Sequence, residues 1–163
     1  MSLNFNAREI FEIGVNIEKN GQAFYTAAME AAKDSATKKF LGELAEWEST
    51  HVQIFQNLAD ALPPHATEST TYDPNGELAM YLKATADTHV FGPGADGAKI
   101  AAMCKTVRDV IRTALEFEKD SIVFYSAMRK AVSPELGQAE VDRLIEEELK
   151  HIVMLSKKLV GLA

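Results

Sequence analysis

The chain has 163 residues, 17 basic and 24 acidic, and a formal charge of −7. That balance argues against a nucleic-acid or anionic-membrane partner. One cysteine, Cys104, excludes an internal disulfide framework and any CxxC-type zinc or iron–sulfur site. No run approaches the ~18 consecutive apolar residues of a membrane span, and Met1–Asn6 has no basic leader followed by an apolar stretch. The expected setting is soluble, reducing and cytoplasmic.

Helical periodicity runs through most of the chain. From about Asn6 to Lys33, Ile10, Ile13, Ile17, Phe24 and Ala28 recur at three- and four-residue steps. Asn6 and Glu9 have capping-box spacing. Lys33-Asp34-Ser35 breaks this helix from a second, whose stripe is Leu41, Leu44, Ala45, Val52, Phe55, Leu58 and Leu62. Pro63-Pro64 stops it. Asp73-Pro74 is a cap-plus-proline start for a shorter helix through Glu77–Val90, and Phe91-Gly92-Pro93-Gly94 breaks the chain again. A third long helix is expected to start between Ala98 and Lys105 and to end near Val132. Ser133-Pro134 then opens a fourth, carrying Val141, Leu144, Ile145, Ile152, Leu155 and Leu159. No segment alternates as a strand. Short loops join helices one to two and three to four, so each pair should be antiparallel. The expected architecture is an all-α four-helix bundle in a single domain, 1–163. Hairpin one is about 5–62, a crossover with a short extra helix about 63–97, and hairpin two about 98–163.

The two hairpins repeat each other at an offset of one hundred. Residues 8–32 and 41–55 align without gaps on 108–132 and 141–155, with eleven of forty positions identical, where composition gives roughly two or three. The matches include Glu18/Glu118, Phe24/Phe124, Tyr25/Tyr125, Glu46/Glu146, Glu48/Glu148 and His51/His151. Shared helix-forming composition explains matched alanines and leucines. It does not explain matched Glu, Phe-Tyr and His, so the reading is a duplicated hairpin.

Glu48/His51 and Glu148/His151 are both Glu-x-x-His, nearly one helical turn apart and on one face. In each helix that face is the apolar stripe. Glu18 and Glu118 hold matching places in helices one and three, with small neighbours at Gly14, Gly21, Ala114 and Ser121. Four buried carboxylates repel one another and resist desolvation by several kcal/mol each. Two divalent cations cancel their charge. One Glu from each of two helices plus Glu-x-x-His from each of the other two is the known ligand pattern of ferritin-like di-metal bundles. Oxygen ligands with one imidazole per metal suit iron or manganese, with zinc as a further candidate.

On these residues the chain resembles the rubrerythrin branch of the ferritin-like superfamily. The resemblance covers the four long helices and rests on Glu18, Glu48/His51, Glu118, Glu148/His151 and the Phe-Tyr dipeptides six residues after Glu18 and Glu118. It implies that Glu18 and Glu118 are terminal or chelating ligands, that Glu48 and Glu148 bridge, and that His51 and His151 each cap one of two metal ions. It also implies reduction of peroxide or dioxygen at a di-iron centre in oxidative-stress protection, and a homodimer. The alternatives are ferroxidation with iron storage or sequestration, and a metal-stabilised bundle without catalysis. Two features depart from the family. The four-cysteine rubredoxin domain is absent, so electrons would come from an external donor such as a rubredoxin-like protein. Ser121 stands where the family carries an additional glutamate, and Asp120 points some 200° away from Glu118 at ~100° per residue. The expected set is therefore four glutamates and two histidines.

Other residues carry less. Tyr25 and Tyr125 lie two turns along the face of Glu18 and Glu118, and read either as hydrogen-bond partners or electron relays of the ligands or as core aromatics. Trp47 is expected to pack between helices or at an interface, and Glu46 and Glu146 to face solvent. Cys104 reads as a small hydrophobe, and Met80, Met103, Met128 and Met154 as core filler. His65 and His89 have no acidic spacing partner and are not expected to bind metal.

Overall fold

The structure is a computed structural model that describes residues 6–63, 76–90, 92 and 94–162. Among the described residues six α-helices follow in chain order: α1 Ala7–Ala31, α2 Ser35–Asp60, α3 Glu77–Thr88, α4 Gly97–Met103, α5 Val107–Ala131 and α6 Gln138–Val160. No strand occurs among the described residues. The fold is the expected all-α bundle. Helix α1 packs along α2 and α5 along α6, α4 lies against α1, and α3 lies against α5.

The helix starts follow local chemistry. Asn6 accepts from Glu9 N (2.9 Å) while Glu9 Oε2 accepts from Asn6 N (3.0 Å), completing the expected capping box. Asp34 accepts from Thr37 N (2.8 Å) and starts α2 across the three-residue break. The stripes turn inward as the periodicity requires: Ile10, Ile17, Phe24, Ala28, Leu41, Leu44, Phe55, Val141, Leu144 and Leu155 are all buried. Five phenylalanines, Phe11, Phe24, Phe55, Phe117 and Phe124, are fully enclosed, each worth about 1.5–3 kcal/mol in transfer from water.

Two boundaries differ from the sequence expectation. The third long helix is two helices, because Cys104 leaves the helical conformation (ψ 121°) and Thr106 opens a new capping box with Asp109. Asp109 Oδ2 also accepts from Lys105 N (3.2 Å), so the chain turns before α5 begins at Val107. Ser133-Pro134 opens only a single 3-10 turn, Pro134–Leu136. Gly137 then adopts φ +105° and α6 starts at Gln138. Glycine at Gly76 (φ +68°) precedes α3, while Asp73-Pro74 lies outside the described residues. Met128 is buried, but Met80 and Met103 are exposed, since they fall on the outer faces of α3 and α4.

The short helix α4 is pressed onto α1. A Cβ at Gly97 would stand 1.9 Å from the carbonyl oxygen of Asn20, so only glycine permits this approach. At the other end of the crossover, Asp120 Oδ2 accepts from Val90 N (3.0 Å) and ties the end of α3 to α5.

Candidate metal centre

The six expected ligand residues converge in the middle of the bundle. Glu18 comes from α1, Glu48 and His51 from α2, Glu118 from α5, and Glu148 and His151 from α6; all are buried. Glu48, Glu118, Glu148 and His151 place one ligand atom each within 4.8 Å of one another, as do Glu18, Glu48 and His51. Glu48 belongs to both groups. Glu148 also reaches both sides: its Oε1 lies 3.0 Å from His51 Nδ1 and its Oε2 lies 2.8 Å from His151 Nδ1. Glu18 Oε2 is 3.5 Å from His51 Nδ1, and Glu118 Oε2 is 3.6 Å from His151 Nδ1.

These contacts are close but misaligned for hydrogen bonds. Both oxygens of Glu18, Glu48 and Glu148, Glu118 Oε2 and the Nδ1 atoms of His51 and His151 are buried without a hydrogen-bond partner. A core does not normally leave so many acceptors stranded. They share one small volume, and a pair of cations there would satisfy them all. The donor set therefore fits two metal ions.

Burial, with the charges of neighbouring carboxylates, raises Glu18 and Glu48 well above the usual carboxylate range and Glu118 to about 8. Burial alone would lower His51 and His151, but Glu148 and the other carboxylates outweigh it and raise both to about 10. Burial opposes ionisation of Glu148 too, yet the two imidazolium rings hold it below the ordinary range. The fold accepts positive charge at this spot and resists negative charge there.

The surroundings orient the cluster. Glu147 Oε2 accepts from His51 Nε2–H (3.0 Å), which turns Nδ1 toward the carboxylates. Arg143 Nε lies 3.6 Å from the other oxygen of Glu147. Glu147 was not among the expected site residues. Its signal is faint in sequence, because it sits one position before Glu148 and off the buried stripe. Tyr25 donates to Glu118 Oε1 (2.7 Å) from across the bundle, whereas the Tyr125 hydroxyl is buried without a partner. Trp47, expected between helices, stacks flat on His151, with ring centroids 4.8 Å apart and planes 8° apart. Gly21 supplies close approach: a Cβ there would meet Phe117 Cζ at 2.5 Å and Glu48 Oε2 at 3.4 Å. The space at Gly14 is filled instead by the Phe55 ring.

His89 is placed where the sequence gave no sign of it. It is buried, its Nε2 lies 3.1 Å from Ser121 Oγ, and its ring meets Phe117 edge-on. Burial pushes it down to about 4, so it is neutral near pH 7. It joins neither ligand group. His65 lies outside the described residues. Glu46 and Glu146 face solvent as expected. Cys104 is half-buried beside the Ile100 carbonyl and Thr113.

No protein-family model matches the chain, and no curated protein matches it. Among solved structures, a Thermotoga maritima protein provisionally described as a ferritin-like diiron-carboxylate protein superimposes with a TM-score of 0.74 at 21% identity, over 98% of both chains. At that identity the likeness is one of backbone arrangement, and it shows that the chain has the ferritin-like fold.

Proposed function

We propose that this chain is a dinuclear metal-carboxylate protein that holds two irons and reduces peroxide or dioxygen, drawing electrons from an external donor. The observation that carries the reading is the set of stranded oxygens and ring nitrogens converging from four helices. In this reading Glu18, Glu48, Glu118 and Glu148, with His51 and His151 through Nδ1, would hold the two ions. The description of the Thermotoga protein as diiron-carboxylate supports iron over manganese or zinc. A ferrous pair supplies two electrons and Lewis acidity.

The chain supplies the rest. Four carboxylates cancel the charge of two divalent ions. Tyr25 fixes one oxygen of Glu118 and leaves the other directed at the cluster. Glu147 holds the His51 tautomer. Phe24 and Phe117 pack edge-on against Tyr25, the residue that holds Glu118. Reduction of peroxide to two waters consumes two electrons and two protons.

Elemental analysis of protein purified without added metal or chelator tests the reading, paired with absorption spectra before and after peroxide. Two irons per chain and near-ultraviolet ferric absorption that grows as peroxide is consumed are expected. Two zinc or manganese ions would keep the centre and remove the iron chemistry. Oxidation of added Fe²⁺ without consumption of peroxide would favour ferroxidation. No metal, and no uptake on reconstitution, overturns the reading.

A further inference from the structure

We propose that Trp47 is the electron-entry residue of this centre. The inference rests on the redox reading above. It starts from residues 47 and 147, which are one hundred apart and occupy matching places before the two Glu-x-x-His pairs. Each touches the histidine of the other helix, and with opposite chemistry. Glu147 binds the far nitrogen of His51 as a hydrogen-bond acceptor (3.0 Å) and is held by Arg143. Trp47 lies flat on His151 at 4.8 Å, and His151 in turn faces His51 at 5.6 Å with planes 19° apart.

The indole is the outer member of this ring column. It is 38% exposed, whereas His151 and His51 are buried. Tyr25, another ring in contact with a candidate ligand, is wholly buried and spends its hydroxyl on Glu118. Tyr25 therefore cannot meet a soluble donor. Trp47 is the chain's one tryptophan, the most electron-rich of the aromatic side chains. A large apolar ring on an outer helix face would ordinarily tuck against aliphatic neighbours. Here it covers an imidazole whose Nδ1 points into the cluster, so its π-face couples solvent to that ligand. Trp47 serves the His151 side and Glu147 the His51 side, so the two histidines stand in unequal surroundings.

The step is a plain electron transfer. A soluble one-electron reductant at the exposed edge of Trp47 loses one electron, and one ferric ion becomes ferrous. No bond forms or breaks, and a second donation completes the pair.

The test is anaerobic stopped-flow reduction of the diferric protein by reduced methyl viologen, with iron per chain measured on the same samples. Trp47→Leu removes the ring, and Trp47→Phe keeps an aromatic face on His151. With two irons retained, the Leu variant is expected to be reduced at least about tenfold more slowly, roughly 1.4 kcal/mol in barrier, with the Phe variant between it and wild type. Reduction of the Leu variant at the wild-type rate overturns the proposal and leaves the metal reading intact. If the Leu variant loses iron, flash excitation of the wild-type diferric protein decides instead. An indole radical formed together with a ferrous ion supports the path, and its absence overturns it. Wild-type protein that holds no reducible metal takes down the underlying reading and this inference with it.

Discussion

Tyr25 donates its hydroxyl proton to Glu118 Oε1 across the bundle at 2.7 Å, yet Tyr125, one hundred residues later, has a buried hydroxyl with no acceptor. The matched tyrosines are thus unequal in energy. Tyr25→Phe should leave Glu118 less well held and weaken metal binding by about ten- to a hundredfold. Tyr125→Phe removes a stranded polar group, so the metal-free protein should be unchanged or more stable. Competitive metal titration and thermal melts of the two variants separate these outcomes. Equal losses in both would count against the asymmetry.

The ligand set predicts graded losses. His51→Ala and His151→Ala should each reduce bound metal well below two per chain. Glu147→Gln keeps the side chain's shape and removes its charge, so it should weaken binding without abolishing it. Elemental analysis after dialysis against a weak chelator reads all three. Two ions tightly held in both histidine variants would reject the assignment.

Metal affinity should rise with pH, because binding displaces the protons that occupy the cluster. Stability of the metal-free chain should run the opposite way. Glu118 is raised from 4.5 to about 8, so its contribution is whole below pH 4.5 and is lost as pH climbs through about 8. His51 and His151 are raised from 6.5 to about 10, so theirs are whole below pH 6.5 and are lost on the way to about 10. Glu148 is lowered, and opposes the trend only in acid. Melting temperatures from pH 6 to 10, with and without chelator, should diverge as pH rises.

His89 has the reverse sign. Burial lowers it from 6.5 to about 4, so its contribution is present above pH 6.5 and fades as pH falls through that interval. The loss is of the order of 3 kcal/mol. His89→Leu should flatten that part of the acid limb in urea unfolding between pH 7 and 4.5, at the cost of leaving Ser121 without this partner. An unchanged acid limb would show that His89 does not set it.

Much of this could be read without coordinates because the informative signals are local. Asn6 and Glu9 declare a helix start three residues apart, and Glu148 and His151 announce themselves by interrupting an apolar stripe. The break before α5 was equally local, written in Thr106 and Asp109, but continuous apolar spacing across Ala101 and Val110 masked it. Pro134 is the weaker signal, since Gly137, at φ +105°, decides where α6 begins. His89, Glu147 and Trp47 were not legible as site residues. Their partners lie 32 residues away for His89, 96 for Glu147 and 104 for Trp47, on helices brought together only by tertiary packing.

The stranded oxygens of Glu18, Glu48 and Glu148 have a consequence for the life of the protein. Ions that settle there join the core as structural members, and binding at a thousand times the dissociation constant adds about 4 kcal/mol to folding. That is a large share of a domain's usual margin of roughly 5–15 kcal/mol. A chain made under metal starvation opens more often and is exposed to proteases in proportion. The amount of this protein a cell retains would then follow its metal supply, with no dedicated regulator.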